Sequence, residues 1–135
     1  MTAWSLAYDT YAPAEEGQRE ALCTLGNGFF ATRGAAPESR ADGVHNPGTY
    51  AAGCYNRLRD EIEGHVVENE SMVNLPNWLM LTFAIDEGPW FELDRAEVLS
   101  FGQELDLRRG ILTRRMRVRD PVGRCTQLMQ RRLIH

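Results

Sequence analysis

From Ile111 to Arg119 apolar and charged side chains alternate, with Leu112, Met116 and Val118 on one side and Arg115, Arg117 and Arg119 on the other. Successive side chains of an extended strand point to opposite faces, so this period of two reads as a half-buried strand. Asp120-Pro121-Val122-Gly123 supplies turn chemistry, and Arg124 to Ile134 reads as the returning strand of a hairpin. Such a pair is stable only when its apolar face is buried against another layer, so a layered architecture follows.

Similar signals recur upstream. Trp4, Leu6 and Tyr8 alternate with smaller or polar residues and give an opening strand before a loop at Ala12-Pro13-Ala14-Glu15-Glu16-Gly17. Gln18 to Thr24 fits either a short helix or a strand lead-in. Within Leu25 to Gly34, Asn27-Gly28 marks a turn followed by a strand with aromatics. Pro37 to Gly48 has no apolar period and reads as a long surface loop. Thr49 to Tyr55 is strand-like, whereas Asn56 to Glu70 is strongly charged and carries no assignment. Asn74-Leu75-Pro76-Asn77 is a turn, Trp78 to Ile85 an apolar strand, Asp86-Glu87-Gly88-Pro89 another turn, and Trp90 to Leu93 the second arm of a hairpin. Glu104 to Gly110 leads into the strand at Ile111. Many short strands with regular turns and almost no long amphipathic helix indicate an all-β sandwich. A length of 135 residues suits one domain. Strand chemistry is still running at His135, which implies a polypeptide that continues.

Composition removes several function classes. All 15 basic residues are Arg, Lys is absent, and the formal net charge is −4, a balance unsuited to nucleic acid. No stretch approaches the roughly 18 apolar residues of a membrane span, and the N-terminus lacks a basic, apolar leader. Three widely spaced cysteines, Cys23, Cys54 and Cys125, fit reduced thiols in a cytoplasm better than a disulfide framework. His45, His65 and His135 are scattered, with no ligand spacing for a metal.

The candidate chemistry is sparse. Glu15/Glu16, Glu61/Glu63 and Glu68/Glu70 are neighbouring carboxylates in hydrophilic surroundings, where solvent holds their pKa at ordinary values. Gly26-Asn27-Gly28 lacks the Lys and Ser/Thr of a phosphate-binding loop and reads as a structural turn. Trp78 and Trp90 read as core anchors, with stacking on a sugar as the functional alternative. Arg115, Arg117 and Arg119, with Arg108, Arg109 and Arg114 near in sequence, read as a salt-bridged outer face or a domain interface. Arg33 and Glu38 flank the Gly34 to Gly48 loop, where they are positioned to meet another domain or subunit. No catalytic, cofactor-binding or metal-binding residue is assigned, and no cofactor is expected.

Five strings occur in an order that resembles the N-terminal domain of glycoside hydrolase family 65. They are Glu20-Ala21-Leu22 running into Leu25-Gly26-Asn27-Gly28-Phe29; Thr32-Arg33-Gly34-Ala35; Pro47-Gly48-Thr49-Tyr50 with Ala52-Gly53-Cys54-Tyr55-Asn56; Leu75-Pro76-Asn77-Trp78; and Leu105-Asp106-Leu107-Arg108 before Gly110. Cys54 stands where an aliphatic residue is usual, and Phe30-Ala31 replaces a more typical Leu-Gly. The resemblance implies a β-sandwich that forms part of a galactose-mutarotase-like supersandwich, followed by a linker and an (α/α)6 catalytic barrel. It also implies inversion at the anomeric centre by a single Glu acid with phosphate or water attacking, all residing in that barrel.

The expectation is therefore a non-catalytic sandwich domain of a cytoplasmic disaccharide phosphorylase or hydrolase. It would brace its own barrel and contribute to a homodimer, with a disaccharide as possible ligand and neither nucleic acid nor membrane as partner. The alternative is a stand-alone carbohydrate-binding or oligomerisation module. Half of a supersandwich would expose edge strands and apolar faces, so association or poor solubility is expected of the chain alone.

Overall fold

Three antiparallel sheets organise the computed structural model, which describes residues 4–135. The largest has four strands: β1 (Ser5–Tyr8), β7 (Glu97–Asp106), β8 (Ile111–Arg119) and β9 (Cys125–Arg132), hydrogen-bonded in that order. A second contains β2 (Leu25–Gly26), β3 (Phe30–Thr32) and β4 (Thr49–Ala51). The third is a ribbon of β5 (Tyr55–Ile62) and β6 (His65–Met72). One α-helix, α1 (Glu16–Leu22), precedes β2. The all-β expectation holds, and no helix among the described residues is long and apolar enough to cross a membrane.

Alternation in β8 is visible in the burial. Leu112, Met116 and Val118 are buried, whereas Arg115, Arg117 and Arg119 are exposed. Cross-strand register carries the apolar face into the neighbours: Leu6 of β1 faces Leu105 of β7, which faces Leu112 of β8. Cys23, at the end of α1, and Leu25 of β2 close over this row to make the core. That contact joins the two larger sheets into the sandwich layers. The close approach explains a glycine: a Cβ on Gly34 would lie 2.5 Å from the Cys23 Cβ. The Gly34 amide also donates to the Glu20 carbonyl at 2.8 Å, stitching the exit of β3 to α1.

Three regions differ from the sequence-based expectation. Asn56 to Glu70, left unassigned, forms most of the β5–β6 ribbon, whose turn is Glu63-Gly64 with φ of 52° and 79°. Two consecutive positive φ values match the twist of a two-residue hairpin. The strand β7 runs ten residues, beginning at Glu97, and only its end was legible because a register shift between Val98 and Ser100 breaks its alternation.

Conversely, Trp78 to Ile85 is not a strand. It joins Trp90 to Leu93 through an isolated bridge between Ala84 and Trp90, a Phe91 amide donating to the Phe83 carbonyl at 2.7 Å, and stacked Phe83 and Phe91 rings with centroids 4.8 Å apart. Pro76 and Pro89 flank the segment and cannot donate to a ladder. Trp78 and Trp90 are 68% and 64% exposed, so neither anchors the core as expected.

Candidate functional site

The most concentrated polar chemistry lies where α1, the Gly34 to Gly48 loop and the inner face of the four-stranded sheet meet. In α1, Glu16, Arg19 and Glu20 are spaced i, i+3, i+4 and therefore share a face, and all three are buried. Arg19 donates to the Thr10 carbonyl at 2.7 Å, pairs with Glu15 at 2.9 Å and Glu16 at 3.4 Å, and lies 4.5 Å over the Tyr8 ring. Glu20 accepts from the Asn46 amide at 2.9 Å and shares a hydrogen bond of 2.7 Å with His45 Nδ1. Asp42 shapes the same loop by accepting from the Val44 and His45 amides at 2.7 and 2.6 Å, and these bonds hold its carboxyl below the usual range.

On the sheet side, Arg114 sits at the inward position between Leu112 and Met116 and pairs with Glu38 of the loop at 2.6 Å. Arg132, the last residue of β9, donates to the Arg33 and Ala35 carbonyls at 2.8 and 2.7 Å. A polar cavity of about 230 Å³ opens beside this assembly, lined among others by Tyr11, Glu16, Glu38, Asp42, His45 and Arg114. Of its carboxylates, Glu16 pairs with Arg19 of α1, Glu38 with Arg114 of the sheet and Asp42 with amides of the loop, so these three are engaged within the fold and help to pin the long loop.

Burial pushes the Glu16 carboxyl up from its ordinary 4.5, against the opposing pull of Arg19. For Glu16 this corrects the expectation of a solvated carboxylate whose pKa desolvation does not raise. A raised carboxyl pKa means that the folded state holds this proton more tightly than the unfolded chain, so its contribution to stability falls as pH rises above about 4.5. Glu16→Gln removes that penalty. Its urea midpoint should exceed the parent's near pH 7 and converge with it below pH 4.5; a constant gap across pH would refute this linkage.

Elsewhere several of the groups singled out from sequence have structural partners. Glu68 and Glu70 pair with Arg59 and Arg57 across the exposed ribbon at 2.9 Å each. Asn27 Oδ1 caps its turn by accepting from the Phe29 and Phe30 amides, which bears out a structural Gly-Asn-Gly. Arg119 pairs with Glu97 on the outer face at 2.8 Å. Arg33 donates to the Gly17 carbonyl and Glu38 is held by Arg114, so both loop-flanking residues act within the chain. Among the described residues no group of three His, Cys, Asp or Glu could hold a metal.

Arg114 was missed as part of a site, although its place in the β8 alternation already points it inward. Glu20 and His45 were not recoverable in this way, because 25 residues separate them.

The five ordered strings all lie within residues 6–135, which the family model for the N-terminal domain of glycosyl hydrolase family 65 matches. The chain belongs to this family. Over 129 residues, 96% of the chain, it is 56% identical to an uncharacterized glycosyl hydrolase of Mycobacterium tuberculosis (strain ATCC 25618 / H37Rv), covering 10% of that protein. It is 34% identical to a kojibiose phosphorylase of Caldanaerobacter subterraneus subsp. tengcongensis over 93% of the chain and 15% of the relative. The family 65 N-terminal fold also appears in a solved candidate kojibiose phosphorylase from the human microbiome, with a TM-score of 0.81 at 22% identity over 96% of this chain and 17% of that one. The family 65 chain thus spans between a tenth and a sixth of these proteins.

Proposed function

We propose that this chain is the leading part of the N-terminal sandwich domain of a cytoplasmic disaccharide phosphorylase or hydrolase. Its role is to brace the catalytic barrel of the same polypeptide and to contribute to a dimer, while the catalytic acid and the phosphate or water site lie in that barrel. The β5–β6 ribbon is the observation that carries the bracing role. All sixteen of its residues are exposed, including Tyr55, Leu58, Ile62, Val66 and Met72. An isolated two-stranded hairpin is marginal in water, so eight cross-strand pairs held out with apolar side chains favour a surface built to be covered. Three unpaired cysteines are consistent with a reducing compartment.

The test compares this chain with the longer polypeptide that carries it, using kojibiose and trehalose with phosphate, and light scattering. Activity confined to the longer form, together with loss of its dimer when Leu58 and Ile62 are replaced by Ser, is the expected result. Phosphorolysis by the 135 residues alone would overturn the reading.

A further inference from the structure

The polar cavity beside α1, the Gly34 to Gly48 loop and β8 holds unspent hydrogen-bonding capacity. Glu16 and Glu38 line it, with side chains only 7% and 9% exposed. Each carboxylate is held through Oε1 alone, Glu16 by Arg19 and Glu38 by Arg114. The two Oε2 atoms have no hydrogen-bond partner among the described residues, yet, unlike Nε and Nη2 of Arg114, they are not sealed from solvent. With so little of either side chain exposed, the surface left to these oxygens faces the cavity.

His45 adds a third acceptor. Glu20 is buried and one of its oxygens accepts from the Asn46 amide, so the 2.7 Å bond at the other is one that His45 Nδ1–H donates. In the neutral ring this leaves Nε2 with its lone pair. That atom also lacks a partner among the described residues and is not sealed, and His45 lines the same cavity. The Tyr11 ring, set against Phe101 with centroids 5.6 Å apart, supplies an aromatic wall.

Charge, donor number and size decide what fits. Five lining residues are carboxylates against two arginines, and Arg114 is already committed to Glu38, so an anion is repelled. Among the described residues no three His, Cys, Asp or Glu could hold a metal, which leaves an organic cation. A guanidinium fork is matched by both oxygens of one carboxylate, and here each carboxylate offers only one. An ammonium carries three donors on one compact centre and so meets single acceptors from separate side chains, with cation–π attraction from the aromatic wall. At about 230 Å³ the cavity is smaller than the roughly 300–1,000 Å³ of drug-sized ligand sites and suits a short alkylammonium rather than a disaccharide. We propose that this cavity binds a single primary ammonium group through Glu16 Oε2, Glu38 Oε2 and His45 Nε2, supplied by a free alkylamine or by a lysine side chain. The 135 residues contain no Lys, so such a lysine belongs to another part of the longer polypeptide or to a partner. The proposal stands independently of the bracing role assigned to the ribbon.

Calorimetric titration of the longer polypeptide with propylamine near neutral pH, with propanol as the uncharged counterpart, tests the site, and carbodiimide cross-linking read by mass spectrometry separates the two sources. Saturable binding of propylamine and not of propanol, weakened about tenfold or more by Glu16→Gln, is the result expected of a free amine. Glu16→Gln is the informative variant because its fold is expected to be at least as stable as the parent's near neutral pH. If a lysine already fills the cavity, propylamine gives no heat, and carbodiimide joins that lysine to Glu38 in a yield that falls in Glu16→Gln. Propylamine binding unchanged by Glu16→Gln, equal binding of propanol, or the absence of both propylamine binding and a lysine cross-link to Glu16 or Glu38 would overturn the proposal. None of these failures would touch the light-scattering test of the ribbon.

Discussion

Arg114→Met is expected to lower the unfolding free energy by about 3–5 kcal/mol, because it leaves the Glu38 carboxylate buried without its counter-charge. The side chains of this pair are 8% and 9% exposed, and their 2.6 Å contact is Glu38's link to the sheet. The companion variant Glu38→Leu should be similarly damaging, since it strands the guanidinium. Combining Arg114→Met with Glu38→Leu should recover most or all of the loss. Replacing a whole buried ion pair by apolar residues is commonly neutral or stabilising, whereas breaking one is not. Arg114 makes recovery more favourable still, for its Nε and Nη2 atoms are already buried without acceptors. Urea denaturation of the three variants closes the cycle. A single-variant loss below about 1 kcal/mol would mean that water reaches the pair and that the loop is held by other means.

The position of Arg114 also shows what the sequence could and could not reveal. The period of two in β8 was legible because both of its faces are decided by contrast: the core on one side, solvent on the other. Arg114 shares the inward parity of Leu112 and Met116, although the sequence reading groups it with the outer-face arginines, and an arginine in an apolar row has meaning only once Glu38 is brought to it from 76 residues away. The ribbon was illegible for the opposite reason. Both faces of β5 and β6 meet solvent, so no burial contrast marks their strands, and the turn at Glu63-Gly64 is hidden in a charge run. Trp78 to Ile85 is apolar yet not a strand, because apolar composition does not by itself specify strand pairing. Its aromatics instead stack across a turn, as Phe83 does with Phe91, or line a cleft, as Trp78 does. The ordered strings outperformed local periodicity because several mark backbone approaches that depend on the whole fold. Gly34 against Cys23 is one such approach, and Asn27 capping its own turn is another.

Leu112→Ala is the second large effect, with an expected loss of about 2–5 kcal/mol from lost apolar burial and the cavity left behind. Leu112 is 4% exposed and ends the row that runs from Leu6 through Leu105, in one core cluster with Cys23 and Leu25. Leu105→Ala should cost a comparable amount. The double variant should lose less than the sum, because the two side chains vacate one shared space between the layers. The contrasting measurement is Leu58→Ala on the ribbon, where the side chain is 58% exposed and the cost in a monomer should stay within about 0.5 kcal/mol. Running the pair at low and high protein concentration gives that contrast a functional edge. The Leu112→Ala loss should not depend on concentration, since the core is internal to one chain. A Leu58→Ala loss that grows with concentration would show the ribbon being covered by another copy, as the proposed contribution to a dimer requires; one that stays negligible while the longer polypeptide shows a large loss would place the ribbon against the rest of its own chain.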